Sequence, residues 1–385
     1  MESLKAEARK MFCSDYAKEC TENGRLVPTV NRNPIAPPLL SIEYDSMEKD
    51  CAKYFLYYSA IYVALKQWKV RVNKSELCHI MVIGGGRGRL VEYCSDCLSD
   101  LGIQGFVFVV EVNQEAYHIL NERFAQNKHI HILKPFALRT AFEMQLAKDM
   151  NVFDSKIQAL IDTKPIHLFV SELFGSFADN EFVSEILCAS IQTFGKKDAS
   201  GKCVCTSIPE SYTTYICGIH SDTLQKFFQN HNQEKLYILQ VPEDAQMLSN
   251  ITMLYTASCY KSSEELISNI TLQKTNQVKP LTGIAGYFEA TLYGDICIHT
   301  APTPKQNTYF WETAFFPVLE DSSSLWRNQG TSINCFFARK CKQIKPDVNK
   351  IFDINSPVLH MWYEWGLGDV PCKHNGGGVH HSLHL

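Results

Sequence analysis

The sequence predicts a parallel α/β domain followed by a β domain, and three observations carry that fold class. An apolar run, Cys78–Ile83, breaks directly into Gly84-Gly85-Gly86-Arg87-Gly88-Arg89 and then a helical pattern over 90–98. A strand, a glycine turn and a helix in that order bring backbone N–H groups close to a ligand. A second apolar run, Gly105–Val110, ends in Glu111. An acid at the tip of the second strand, about twenty residues past the glycines, suits the hydroxyls of a ribose. From Pro209 onward, short β-type segments separated by Gly, Asn, Pro and Ser replace helical spacing. That texture is a β sandwich or barrel. The expected divisions are an N-terminal segment and linker at 1–42, a Rossmann-like cofactor-binding domain at 43–208 and a β-barrel domain at 209–385.

Taken in order, residues 1–20 fit a short helix, and Pro28, Pro34, Pro37 and Pro38 make 21–40 an extended linker. Tyr54, Tyr58, Ile61, Tyr62 and Leu65 recur at helical spacing within 50–68, mostly as core. After Glu111 come a helix at 114–125, a strand at 129–133 and a polar amphipathic stretch at 139–150. A fourth strand enters at Ile166 and runs into Ser171-Glu172. A loop bearing Gly175 follows, and Glu181 arrives nine residues after Glu172. Acids at a strand's carboxyl end lie where open α/β sheets bind ligands. Residues 182–194 read as a helix capped by Asn180 or Asp179 and closed by Gly195, and 202–208 as a strand. Further strands are expected at 212–216, 236–241, 253–257, 287–293, 296–300, 331–339 and 358–366.

Bulk properties narrow the function classes. A chain of 385 residues suits about two domains. A net charge of −4 gives no global pull toward nucleic acid or anionic membrane. No apolar run reaches the length of a membrane helix and no secretory signal is evident, so the expected location is the cytoplasm, the nucleus or both. The fifteen cysteines follow no framework. Cys94-Ser-Asp-Cys97 lacks a second pair, Cys203-Val-Cys205 is too tight to be one, and most thiols are expected to be reduced and buried. His374, His380, His381 and His384 read as a solvated tail, and no metal site is expected.

The glycine turn with Glu111 suits either a dinucleotide dehydrogenase or an S-adenosylmethionine enzyme. The pair Glu172 and Glu181 suits a planar cation, because a guanidinium offers five donors in a fork that matches carboxylates. The stretch VSELFGSFADNE, 170–181, is similar to the double-glutamate loop of the protein arginine methyltransferase family, and to its symmetric, type II, branch. The turn IGGGRGRL, the segment 44–54, GIAGYFE at 283–289, 311–317 and WYEW at 362–365 resemble that branch as well. The resemblance implies S-adenosyl-L-methionine as cofactor and methylation of arginine in glycine/arginine-rich tails such as those of histones or splicing factors. It assigns catalysis to Glu172 and Glu181, and cofactor binding to Tyr44, Lys53, Tyr54, Gly84, Gly86, Arg87, Gly88 and Glu111. Trp311 would stack on the substrate arginine, and Met47 would shape the product. A homodimer or higher homo-oligomer is implied, through an arm near 219–261.

The sequence also departs from the branch. Met47 replaces its Phe, Phe136 stands where an acid contacts adenine, and Arg89 follows the glycine turn in place of Pro. Only some forty residues precede Tyr44, so the N-terminal barrel that docks a WD-repeat partner is not expected, nor is that partner. The competing readings are a catalytically inactive relic acting as scaffold or regulator and a nucleotide-dependent oxidoreductase.

Overall fold

The computed structural model describes residues 44, 47–72, 75–133, 164–276, 279–308, 310–318, 326, 330–343, 359–368, 372–375 and 381–383. The expectations for 1–20, 21–40, 139–150 and Phe136 lie outside these residues. Helix α1 (Cys51–Arg71) opens the described core. Asp50 caps it: the carboxylate accepts from Lys53 N at 3.0 Å and from Phe310 N, on a distant loop, at 3.1 Å. Tyr54 and every residue of 57–65 are buried, so this helix is enclosed rather than amphipathic.

There follow β1 (Cys78–Ile83), α2 (Arg89–Asp100), β2 (Gly105–Val110), α3 (Gln114–Phe124), β3 (Ile130–Leu133), β4 (Leu168–Ser171), α4 (Val183–Phe194) and β5 (Thr206–Ile208). The five strands form a parallel sheet in the order β3-β2-β1-β4-β5. All residues of β1 and β4 are buried, which is why both read as continuous apolar runs. Strand order reverses between β1 and β4, and the crevice at that reversal is where such sheets bind ligands. Ile83 pairs with Ser171, so Gly84 and Glu172 leave the sheet side by side.

The remainder comprises β6 (Ser211–His220), α5 (Asp222–Phe228), β7 (Tyr237–Leu239), β8 (Gln246–Met247), β9 (Thr252–Ser258), β10 (Glu265–Gln273), β11 (Gly283–Tyr293), β12 (Ile296–His299), β13 (Thr313–Pro317), β14 (Ser332–Gln343) and β15 (Leu359–Leu367). One sheet is ordered β7-β13-β11-β6-β8, with β12 on β11 and β9 on β6. A second contains β10-β14-β15. The α/β sheet and these sheets share one apolar cluster, and α1 packs on α2, β5, β11 and β12. A smaller cluster lies on the other face of β11, around Phe228, Tyr237, Tyr287 and Phe315. Among the described residues no helix is long and apolar enough to cross a membrane.

Several expectations are corrected. The strand expected at 202–208 shortens to β5. β10, β13 and α5 are present where no strand or helix was expected. Within 219–261, β7, β8 and β9 join the seven-stranded sheet, which neither supports nor excludes an oligomer contact there. His374 is no solvated tail residue: it is buried and stacked on Trp365, with ring centroids 5.2 Å apart. Cys94 and Cys97 are free, buried thiols, as most cysteines were expected to be, while Cys51 is disulfide-bonded. Neither Asn180 nor Asp179 caps α4; Phe182 occupies the cap in the left-handed region, without a side-chain bond.

Asp179 is used elsewhere. It is buried, and its carboxylate accepts from Tyr212 at 3.0 Å, Tyr255 at 3.0 Å and Tyr363 at 2.6 Å. Arg339, from β14, brings Nε to 3.1 Å from Asp179 Oδ2, a close ion pair off the hydrogen-bond line. The same guanidinium donates to both oxygens of Glu185 in α4, at 2.8 and 3.0 Å, and to Asp179 O at 3.3 Å. Burial pushes the Asp179 carboxyl up, while the guanidinium and the Tyr363 hydroxyl pull it down. Removing one partner of a buried pair strands the other. Arg339→Met is therefore expected to lower the free energy of unfolding by about 3–5 kcal/mol, measured by urea titration.

Candidate functional site

The crevice between β1 and β4 gathers most of the residues singled out from sequence. Beyond β1, Gly84, Gly86 and Gly88 all have positive φ. At Gly86 an added Cβ would sit 3.1 Å from the Tyr44 ring, and at Gly88 it would sit 2.7 Å from the Phe124 ring. Leu173, just past Glu172, would meet a Cβ on Gly84 at 3.0 Å. The turn is thus packed by its neighbours, and only glycine lets it take this path.

Glu111 lies at the tip of β2 and is buried. Its two oxygens accept from Gly86 N and Asn113 N, each at 2.7 Å. Burial pushes the carboxyl up from its ordinary range, and these N–H bonds oppose the shift. Tyr44 covers the turn and hydrogen-bonds Asn113, and burial raises its hydroxyl. Arg87 lies 5.6 Å from the Tyr44 ring and pairs with Glu48 at 3.4 Å. Met47 is half-buried beside Glu48, and its carbonyl accepts from Asp50 N at 3.3 Å.

Across the crevice, the carbonyl of Ser171 accepts from Tyr57 at 2.9 Å, and its hydroxyl donates to Ile83 O at 2.9 Å. Glu172 therefore leaves a strand end clamped from both sides. Its carboxylate meets the fully buried ammonium of Lys53 at 3.5 Å. That ammonium also lies 4.8 Å from the Tyr54 ring, 4.6 Å from Phe310 and 5.3 Å from Trp311. Lys53, expected on the cofactor, is placed on Glu172 and against the aromatic rings.

The loop from Glu172 to Glu181 closes on itself. Gly175 and Ala178 exchange backbone hydrogen bonds at 3.0 and 2.9 Å. Asn180 lies against Gly175, where a Cβ would meet its amide at 2.1 Å, and accepts from Phe177 N at 2.8 Å. Ala178 has φ 61° and ψ −71°, and Asp179 N donates to Phe177 O at 2.8 Å. Together these make a γ-turn of positive φ, a rare and strained form. A 3-10 turn, Asp179–Glu181, ends the loop, and Glu181 in it is half-buried. Trp311 is tied to the same loop, its Nε1 donating to Phe174 O at 2.8 Å. Phe288 packs edge-on to Trp311 at 5.1 Å and lies 5.2 Å from Phe174.

Sequence reasoning missed Asp179, Glu185 and Arg339, which hold the loop, and Asp50, which joins α1 to the Trp311 loop. No local pattern marks the links to Arg339 and Phe310, since those partners lie far away in the chain.

Residues 27–202 match the family described as PRMT5 arginine-N-methyltransferase, and 211–383 match the PRMT5 oligomerisation domain. Protein arginine N-methyltransferase 5 of Oryza sativa subsp. japonica is 27% identical over 87% of this chain and 48% of its own. The Drosophila melanogaster protein of that name is 25% identical over 97% of this chain and 56% of its own. Protein arginine N-methyltransferase skb1 of Schizosaccharomyces pombe is 26% identical over 90% and 51%. The chain thus spans about half the length of the curated relatives it matches. Among solved structures, the Trypanosoma brucei PRMT1 enzyme-prozyme heterotetrameric complex with AdoHcy superposes with a TM-score of 0.57 at 12% identity, over 88% of this chain and 96% of that one. PRMT6 gives 0.56 at 13%, over 84% and 97%. At those identities the likeness establishes the fold alone.

The strain at Ala178 is open to measurement. A residue held in a sparsely populated region costs about 1–3 kcal/mol. Ala178→Gly is expected to leave the free energy of unfolding equal or raise it by about 1 kcal/mol, although a buried methyl is lost. A loss in urea titration as large as for other buried methyls would show that the turn stores no strain.

Proposed function

The chain belongs to the PRMT5 arginine-N-methyltransferase family, and on that premise we propose that it methylates guanidino nitrogens of arginine in proteins with S-adenosyl-L-methionine. The observation that carries this reading is the closed loop bearing Glu172 and Glu181 at the switch point, with Trp311 bonded to its backbone. Residues on the other side of the crevice fit the cofactor. The glycines have no room for side chains, so their backbone can approach an adenosyl ligand closely, and Glu111 is a buried acceptor for ribose hydroxyls. Tyr44 covers the turn, and Arg87 lies beside Tyr44. When bound, the cofactor would supply a methyl group from a sulfonium centre, whose sulfur keeps the bonding pair and departs as a neutral thioether.

The remaining work falls to the protein. A guanidinium is a poor nucleophile, because its lone pairs are delocalised and its pKa lies above about 12. Glu172 and Glu181 hold the fork, draw positive charge away from the attacking nitrogen and set its direction. Positioning of this kind contributes up to roughly 7–11 kcal/mol in well-oriented reactions. The nitrogen gains the methyl carbon and its surplus proton leaves to solvent. Trp311 stacks on the guanidinium plane, a contact of about 0.5–2 kcal/mol. Lys53 already places a cation beside Glu172 and Trp311, so an incoming arginine takes over a position matched to positive charge.

Symmetric dimethylation is the proposed outcome, with Met47 shaping the product, in glycine/arginine-rich substrates such as histones or splicing factors. The match of 211–383 to an oligomerisation domain supports a homo-oligomer, with 219–261 the proposed contact region. A cytoplasmic or nuclear location completes the proposal.

Mass spectrometry of a glycine/arginine-rich peptide incubated with protein and cofactor tests the reaction, and neutral-loss fragments separate symmetric from asymmetric product. Glu172→Gln is expected to slow methyl transfer by at least about a hundredfold, with cofactor binding by calorimetry unchanged. Undiminished transfer would sink the role given to Glu172.

Glu111 gives the site a pH dependence. Its raised pKa means that it takes up a proton at higher pH than an ordinary glutamate, and the protonated form loses acceptor capacity. Cofactor affinity should therefore fall as pH drops from neutrality into the acid range. Glu111→Gln should bind weakly at every pH and flatten that dependence.

A further inference from the structure

β11 alternates between two environments. Phe288 faces the crevice and touches Phe174 and Trp311, so Glu289 faces the opposite side, toward the rim of the smaller apolar cluster. β12 pairs antiparallel with it, setting His299 directly across from Glu289 and Cys297 across from Thr291. Cys297 and His299 are two residues apart on one strand and so share a face with Glu289. A carboxylate oxygen of Glu289, Sγ of Cys297 and Nδ1 of His299 all lie within 4.8 Å of one another, and all three residues are half-buried. His299 Nδ1 is 3.1 Å from Glu289 Oε2.

We propose that Glu289, Cys297 and His299 form a divalent transition-metal site of the zinc class, on the face of the sheet opposite the double-glutamate loop. One thiolate, one imidazole and one carboxylate are zinc ligands, and the thiolate discriminates against magnesium and calcium. Three protein ligands leave a fourth position for water. On coordination the Cys297 sulfur gives up its proton to solvent and His299 binds through its neutral ring.

Surrounding groups hold the donors in place, as outer partners of metal ligands do. Asn307 fixes the β12 backbone at both ligand positions: its Nδ2 donates to Cys297 O at 2.9 Å and its Oδ1 accepts from His299 N at 2.8 Å. Its own N–H donates to His299 O at 3.2 Å. The Tyr215 hydroxyl hydrogen-bonds the Glu289 carboxylate from β6. An ordinary histidine–glutamate pair accounts for two of the three donors, and the thiol, whose Sγ also lies 3.9 Å from Thr291 Oγ1, is what separates the readings. The ligand set was invisible to spacing rules because Glu289 reaches it across a hairpin.

Titration of the whole protein with Co2+, a spectroscopic substitute for silent Zn2+, tests the site. One equivalent is expected to give a thiolate-to-cobalt charge-transfer band that Zn2+ abolishes. Cys297→Ser should lack the band, and His299→Gln should bind Zn2+ at least tenfold more weakly. Both variants should retain wild-type circular dichroism and cofactor binding, so a lost band cannot be ascribed to misfolding. Absence of the band, or an equal band in Cys297→Ser, would overturn the proposal, as would Zn2+ affinity unchanged in both variants.

Discussion

The Arg339 guanidinium, enclosed between Asp179 and Glu185, is the interaction on which the site depends. It reaches from the β region into the α/β region and satisfies two acids that neither region could neutralise alone. Three tyrosine hydroxyls from three strands converge on the same carboxylate. An ion in the interior is tolerated only when its bonds are met, so the β strands must be in place before Asp179 can be buried. The double-glutamate loop inherits its shape from that condition. Its strained γ-turn and 3-10 turn persist because the surroundings over-determine them. The two sheets of the β region are thus part of the site rather than an appendage to it.

Much of the fold was legible because its signals are local. Buried parallel strands wrote themselves as CHIMVI and GFVFVV, and the glycine turn and Glu111 stand at strand ends where chain order alone places them. Less was legible where polar residues serve distant partners. Asp179 sits before a helix and looks like a cap, yet its oxygens face Arg339, 160 positions away, and Phe182 takes the cap in its place. β10 was hidden because Ser268 interrupts its apolar face to donate to Leu254 O. His374, in a histidine-bearing terminus, is buried by stacking on Trp365, which no tail composition suggests.

Lys53 has a contact that its motif alone does not show. It lies in the first turn of α1, where a cofactor-capping role is natural, and its ammonium meets Glu172. A buried ammonium needs a counter-charge, and Glu172 supplies it. Glu172 is thus met by a resident cation, and a guanidinium bound there would take that cation's place.

Asp50 has a consequence for how two ligands would sense each other. One carboxylate accepts from Lys53 N, at the start of α1, and from Phe310 N, beside Trp311. The start of the helix and the aromatic loop are fastened to a single anchor, so ordering either one lowers the entropic cost of ordering the other. A ligand that ordered the first turn of α1 would prepare the aromatic loop for a second one. Thermodynamic reciprocity would then require the converse: an occupant beside Trp311 would tighten the first ligand's binding by the same factor.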